Sequence, residues 1–124
     1  MNLVDSSGWL EFFADGPNAE DFALPLEDPG ELIVPTVVLY EVFKAVLRQR
    51  GEEEALQAVA SMMQGRIVEL TAEIALEAAR LSHQLKIPMA DSVILATARR
   101  FGATLWTQDA HFQGLEGVRY IPKG

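Results

Sequence analysis

The chain has 124 residues, is 49% hydrophobic and carries a formal net charge of −8. This length suits one domain, residues 1–124, with a sizeable apolar core. The absence of cysteine excludes disulfides, thiolate metal ligands and a cysteine nucleophile. The negative charge argues against a module that coats nucleic acid through its overall field, although bound metal ions and a local basic patch would still allow a nuclease.

No transmembrane helix is predicted. The longest apolar stretch, Leu32 to Tyr40, contains a proline and is far shorter than the ~20 residues that span a bilayer. The N-terminus lacks a basic start and places Asp5 inside what would be the apolar part of a secretory signal. We therefore expect a cytoplasmic protein.

Apolar runs and helix-breaking residues predict a regular alternation of strands and helices. In the first half we expect a strand at Asn2–Val4, a helix to Phe13, a short helix at Ala19–Leu26, a strand at Glu31–Val34, a long helix from Thr36 to Arg50 and a helix from Glu52 to about Met63. In the second half we expect a strand at Arg66–Leu70, a helix that follows the cap Thr71 and includes Leu85, and a helix that begins after Pro88, includes Phe101 and is ended by Gly102. A strand at Ala103–Trp106, a turn or helix at Ala110–Leu115 and a strand at Val118–Ile121 follow. This order predicts a three-layer α/β fold, with helices on both faces of a mostly parallel sheet of about five strands.

Polar residues before three of these helices are candidate N-caps. Ser6 or Ser7 is expected to cap the first helix, Asn18 the second, and Thr71 the helix that follows the third strand. That last helix has a clear apolar stripe, formed by Ile74, Ala78, Leu81 and Leu85.

Four carboxylates stand where a parallel sheet would gather them. Asp5 ends the first strand and Asp109 follows the fourth, while Glu41 and Asp91 lie in helices. Ligands of open α/β sheets bind at the carboxyl ends of the strands. Oxygen ligands there suit Mg²⁺ or Mn²⁺. Two such ions, about 3.5–4 Å apart, can clamp the attacking and leaving oxygens of a phosphodiester. The pattern therefore indicates a metal-dependent phosphodiesterase that needs no side-chain nucleophile.

Each acid also has a plain structural interpretation. Asp91 would be an ordinary helix-start acid that favours the dipole, and Asp5 a loop acid after a strand. Glu41 could pair with Lys44 one turn later, and Asp109 could cap the next short turn. The chain has 18 acidic residues, so no single one of these four decides the question.

Four segments together resemble the successive motifs of PIN-domain ribonucleases, and in particular the compact VapC-type toxins of toxin–antitoxin pairs. The segments are Val4–Ser7, Pro35–Glu41, Pro88–Ala98 and Leu105–Phe112. The resemblance covers essentially the whole chain and implies a Rossmann-like fold and an Mg²⁺- or Mn²⁺-dependent RNA endonuclease. It assigns Asp5, Glu41, Asp91 and Asp109 to the acidic metal site and gives Ser6 and Thr107 supporting roles. It also implies RNA as substrate, an inhibitory antitoxin and a homodimer.

His111 departs from this pattern, since many members of the family carry an acidic or amide residue there. It could hydrogen-bond the site, bind phosphate or be a surface turn residue, and we favour the last. His83, in the amphipathic helix, is expected to be structural or exposed.

RNA must also be held, and the candidate phosphate contacts are Lys44, Arg48 and Arg99. Solvated helix surface is the favoured interpretation of each. Aromatic side chains near the first helix, those of Trp9, Phe12 and Phe13, could stack on bases. Core packing or a dimer face is the favoured use of them.

Other functional classes fit the sequence less well. A phosphotransfer receiver domain would need a second acid beside Asp5, where Ser6 and Ser7 stand. A phosphatase that forms an aspartyl-phosphate would need an acid at Ser7. The serious alternative is a catalytically inactive PIN-like protein that binds RNA or acts as a scaffold.

Overall fold

The computed structural model describes all residues from Met1 to Gly124. Five strands form one sheet: β1 (Asn2–Val4), β2 (Leu32–Pro35), β3 (Arg66–Val68), β4 (Thr104–Thr107) and β5 (Val118–Tyr120). The α-helices are α1 (Ser6–Phe13), α2 (Ala19–Leu26), α3 (Thr36–Arg50), α4 (Glu52–Met62), α5 (Ala72–Leu85) and α6 (Met89–Arg100), with short 3-10 turns at Pro29–Glu31 and Ala110–Phe112. The predicted three-layer α/β fold is confirmed, and every strand pair is parallel.

The sheet has the strand order β3-β2-β1-β4-β5. From β1 the chain continues to β2 on one side of the sheet, and from β4 it continues to β5 on the other side. The two connections therefore run in opposite directions from the gap between β1 and β4. This point is the topological switch, where open α/β sheets form a crevice at their carboxyl edge. Pairing of Val4 with Trp106 brings the two residues that follow these strands, Asp5 and Thr107, to that crevice.

Central strands are buried on both faces, as the continuous apolar runs predict. Leu3, Val4, Ile33 and Val34 have no exposed surface. Helix α1 packs closely on β1 through Gly8, where an added Cβ would lie 2.5 Å from Val4 Cγ1 and 2.7 Å from the Phe22 ring. A side chain at this position would push away the helix that carries Ser6 and Ser7.

One predicted helix cap is wrong, and a second has the predicted position without the capping bond. The N-cap of α1 is Asp5, whose side chain accepts the Gly8 N–H, and Ser6 and Ser7 are already in the helix. Asn18 is the N-cap residue of α2, as predicted, but its side chain makes no capping hydrogen bond and its amide nitrogen donates to Gln108 and Pro122. Thr71 does cap α5, by accepting the Ile74 N–H.

The strands β2 and β3 differ by one or two residues from their predicted bounds. Strand β2 includes Pro35 and excludes Glu31, and β3 ends at Val68, two residues before the predicted end. Leu85, the last member of the predicted α5 stripe, is 36% exposed because it lies where the helix leaves the core. No helix of the structure is long and apolar enough to cross a membrane.

Candidate metal centre

Asp5 is held rigidly at the switch point. It is buried, and its carboxylate accepts three hydrogen bonds: from the Gly8 N–H at 3.0 Å, from Ser7 Oγ at 2.6 Å and from Thr107 Oγ1 at 2.5 Å. The first two bonds come from the turn that starts α1, and the third comes from the end of β4. The geometry of Asp5 is therefore set by the first turn of α1 and by the end of β4.

Burial raises the pKa of Asp5 to about 6, since desolvation disfavours the charged carboxylate. The hydrogen bonds from Ser7, Thr107 and Gly8 oppose this shift, and repulsion by Asp109 adds to it. Such a displaced pKa in a crevice is typical of a functional carboxylate.

Glu41 reaches the same crevice from α3. Ser6 Oγ donates a hydrogen bond of 3.0 Å to Glu41 Oε1, which joins α3 to the first turn of α1. Burial raises the pKa of Glu41, and repulsion by Asp91 and Asp109 contributes further. The alternative pairing with Lys44 is not formed, because the Lys44 ammonium lies over the Tyr40 ring at 5.6 Å from its centroid.

Asp109 lies at the start of the turn after β4. Its backbone N–H donates to Thr107 Oγ1 at 2.9 Å, and its side chain accepts the His111 N–H at 2.9 Å. Thr107 thus contacts two of the four acids, because its hydroxyl donates to Asp5 and accepts from Asp109. The predicted cap of the turn by Asp109 is also present and does not conflict with a place in the site.

Asp91 lies in the first turn of α6 and meets the imidazole of His111. His111 Nδ1 is 2.8 Å from Asp91 Oδ2 and 3.3 Å from Asp109 Oδ1. Burial raises the pKa of Asp91, His111 opposes the shift, and Asp109 adds repulsion. The hydrogen bond with Asp91 and the charge of Asp109 raise the pKa of His111.

His111 is exposed, as predicted, but it is not an idle turn residue. Its side chain is 57% exposed and still bonds to one of the four acids and approaches a second. Of the three alternatives that the sequence left open, the structure contains the hydrogen bond to the site. His83 is exposed on α5, as predicted.

The donors of this cluster suit a divalent cation. Asp91, Asp109 and His111 each offer a ligand atom, and these atoms all lie within 4.8 Å of one another. Asp5, Glu41 and Asp91 have raised pKa values, and repulsion by neighbouring acids contributes to each. A cation would relieve this repulsion. Acidic residues that follow β1 and β4 and acidic residues of α3 and α6 thus converge on one negative crevice.

A family model for the PIN domain matches residues 3–118. The chain belongs to the PIN domain family. No curated protein sequence matches it. Among solved structures, a toxin–antitoxin complex from Klebsiella pneumoniae has a similar chain, with a TM-score of 0.80 and 22% identity over 98% of this chain and 100% of that one.

Two further solved structures have the same fold. Mycobacterium tuberculosis VapC20, a sarcin-ricin-loop-cleaving toxin, matches with a TM-score of 0.76 and 19% identity over 96% of this chain and 99% of that one. Rickettsia felis VapBC2, bound to a DNA fragment from its promoter, matches with a TM-score of 0.74 and 15% identity over 98% and 97%. The predicted membership of the PIN family is therefore confirmed.

Ser7, Asn18 and Gln108 support the crevice of this PIN domain, a role that the sequence did not predict for them. Ser7 donates to Asp5 and accepts the Gln108 N–H at 3.2 Å. Asn18 is buried and donates to Gln108 Oε1 at 3.0 Å and to the Pro122 carbonyl at 2.8 Å. These bonds tie the loop before Asp109 to α1 and to the C-terminal segment. Their partners lie 90 to 104 residues away along the chain, so no local pattern signals them.

The three candidate phosphate contacts lie on the surfaces of α3 and α6. Lys44, Arg48 and Arg99 are all exposed. Arg99 is eight residues from Asp91 on α6, which is about 12 Å along a helix. Contact of these side chains with phosphate stays a prediction. Trp9 is 3% exposed and stacks on Phe13 at 5.6 Å between ring centroids, in keeping with core packing.

Proposed function

We propose that this PIN domain, residues 1–124, is an endoribonuclease that depends on Mg²⁺ or Mn²⁺. Asp5, Glu41, Asp91 and Asp109 would hold the metal, with Ser6 and Thr107 in support. The observation that carries the proposal is the convergence of four acids at the switch point. Thr107 joins Asp5 to Asp109, and Ser6 holds Glu41. His111 bonds Asp91 and approaches Asp109. A bound divalent cation supplies an activated water and charge neutralisation for phosphodiester hydrolysis.

The chain's own residues prepare the crevice for that cation. Three donors fix the rotamer of Asp5, and Ser6 fixes that of Glu41, so little reorganisation is needed on binding. Their partly or fully buried positions lower the local dielectric, which strengthens the interaction with a cation. Lys44, Arg48 and Arg99 are the candidate contacts to RNA phosphates.

A toxin role is proposed by analogy with the similar structures, which include toxin–antitoxin complexes and a sarcin-ricin-loop-cleaving toxin. By analogy, this chain would be a cytoplasmic VapC-type toxin that forms a homodimer and is inhibited by a cognate antitoxin. A basic antitoxin side chain placed among the four carboxylates would be favoured electrostatically. The second candidate is a catalytically inactive PIN-like protein that binds RNA or acts as a scaffold.

RNA cleavage distinguishes the two candidates. Purified protein is incubated with mixed RNA in Mn²⁺ or in chelator, beside Asp5→Asn and the control Glu53→Gln, an exposed acid on α4. We expect cleavage that requires Mn²⁺, falls more than about 100-fold in Asp5→Asn and is unchanged in Glu53→Gln. Cleavage that survives in Asp5→Asn would indicate a contaminating enzyme, and no cleavage by the unaltered protein would favour the inactive alternative.

A further inference from the structure

We propose that His111 is itself a metal ligand, through Nδ1, and that it makes the site prefer Mn²⁺ over Mg²⁺. This assignment rests on the proposed metal site and extends it, because an acidic crevice alone would offer only oxygen ligands. Asp91, Asp109 and His111 would then form one position with mixed nitrogen and oxygen donors.

The separations of the donor atoms carry this assignment. Adjacent ligands of a divalent ion with bonds of 2.0–2.2 Å lie about 3 Å apart in octahedral geometry. His111 Nδ1 is 2.8 Å from Asp91 Oδ2 and 3.3 Å from Asp109 Oδ1. A cation can therefore exchange these polar contacts for three coordinate bonds without a large movement of the side chains.

The backbone presents His111 and Asp109 as one unit. Both belong to the turn after β4, and the His111 N–H donates to Asp109 Oδ1. Phe112, the next residue, has no exposed surface and anchors this turn in the core. The imidazole is 57% exposed, so the position it would share with Asp91 stays open to solvent and to a substrate.

Ligand chemistry gives the expected selectivity. Mn²⁺ shares with Mg²⁺ the preference for carboxylate oxygens, but as a transition-metal ion it also accepts imidazole nitrogen, whereas Mg²⁺ takes oxygen ligands and keeps several waters. A nitrogen donor thus strengthens Mn²⁺ binding more than Mg²⁺ binding. If His111 were only a hydrogen-bond partner of Asp91, a bound ion would displace the ring and this selectivity would be absent.

The chain allows a clean spectroscopic test, because it contains two histidines, His83 and His111. Tag-free protein is loaded with Mn²⁺, and pulsed electron paramagnetic resonance detects magnetic coupling between the ion and a ligating nitrogen. The variants are His111→Asn, which places an amide oxygen near the position of Nδ1, and the control His83→Asn on α5. Calorimetric titrations with Mn²⁺ and with Mg²⁺ measure the affinities.

We expect nitrogen coupling in the unaltered protein and in His83→Asn, and its loss in His111→Asn. The affinity for Mn²⁺ should fall about tenfold in His111→Asn, while that for Mg²⁺ should change by less than about threefold. Bound Mn²⁺ without nitrogen coupling, or coupling that persists in His111→Asn, would overturn the role of His111 and leave the acidic metal site intact. No Mn²⁺ binding by the unaltered protein would overturn the metal site itself and His111 with it.

Discussion

Two acidic regions of this PIN domain differ in the spacing of their acids along the chain and in the exposure of those acids to solvent. Glu52, Glu53 and Glu54 are consecutive at the start of α4, and all three are exposed. Glu54 pairs with Arg50 at 3.4 Å, a surface contact whose stabilising effect is small. The crevice acids come instead from four separate elements and lie partly or fully out of water.

Acidic residues that are adjacent in the sequence are therefore not the ones that repel each other most strongly in the folded protein. Three adjacent glutamates can all face solvent and favour the helix dipole, at little electrostatic cost. Asp5 and Asp109 are over 100 residues apart, yet Asp109 contributes to the raised pKa of Asp5. A fold that gathers such residues must support them with buried contacts, and the following changes test that support.

The largest effect is expected from Phe112→Ala, which removes the anchor of the turn that presents Asp109 and His111. Phe112 is fully buried, so the cavity should lower the free energy of unfolding by about 3–5 kcal/mol. Leu56→Ala, at a site 55% exposed on α4, is the control and should change it by less than about 1 kcal/mol. Urea denaturation measures both, and equal losses would show that the turn is not anchored as described.

A change of opposite sign is expected from Asp5→Asn in the presence of chelator. The pKa of Asp5 is raised from 3.8 to about 6 in the folded state, so the protonated carboxyl favours folding. This stabilisation is fully present below about pH 3.8 and is lost as the pH rises through about 6. Asparagine resembles the protonated form. The variant should therefore be more stable than the unaltered protein by up to about 3 kcal/mol at pH 7 and equally stable near pH 4.

The exposed glutamates at the start of α4 supply the control for this prediction. Glu53→Gln, at the exposed start of α4, should stay within about 0.5 kcal/mol of the unaltered protein at both pH values. Denaturation in urea at the two pH values measures all three proteins. A destabilised Asp5→Asn at pH 7 would mean that its hydrogen bonds outweigh its desolvation, contrary to the direction of its raised pKa.

A smaller effect is expected from Asn18→Ala, which leaves Gln108 Oε1 and the Pro122 carbonyl without their donor. Loss of such buried contacts should cost about 1–2 kcal/mol and loosen the loop before Asp109. Gln84→Ala, at an exposed position of α5, is the control and should have little effect. Thermal denaturation compares the two, and a neutral Asn18→Ala would remove this residue from the support of the site.

Sequence predicts the fold well here because each strand is a short apolar run bounded by clear helix signals. Convergence of Asp5 with Asp109 also follows, since parallel strands place their carboxyl ends on one edge. The cap of α1 could not be chosen locally, because Asp5, Ser6 and Ser7 are all good caps. The contact between His111 and Asp91 depends on how α6 packs beside the turn after β4, and no local pattern encodes that packing.

The melting temperature with and without Mn²⁺ tests whether the crevice of the folded protein holds a metal. A metal bound by the folded state stabilises it by mass action, so the melting temperature should rise by several degrees at Mn²⁺ about 100-fold above its dissociation constant. Glu53→Gln should gain as much as the unaltered protein, and Asp91→Asn should gain clearly less. An unchanged melting curve of the unaltered protein, or an equal gain in Asp91→Asn, would contradict the assignment of the crevice as a metal site.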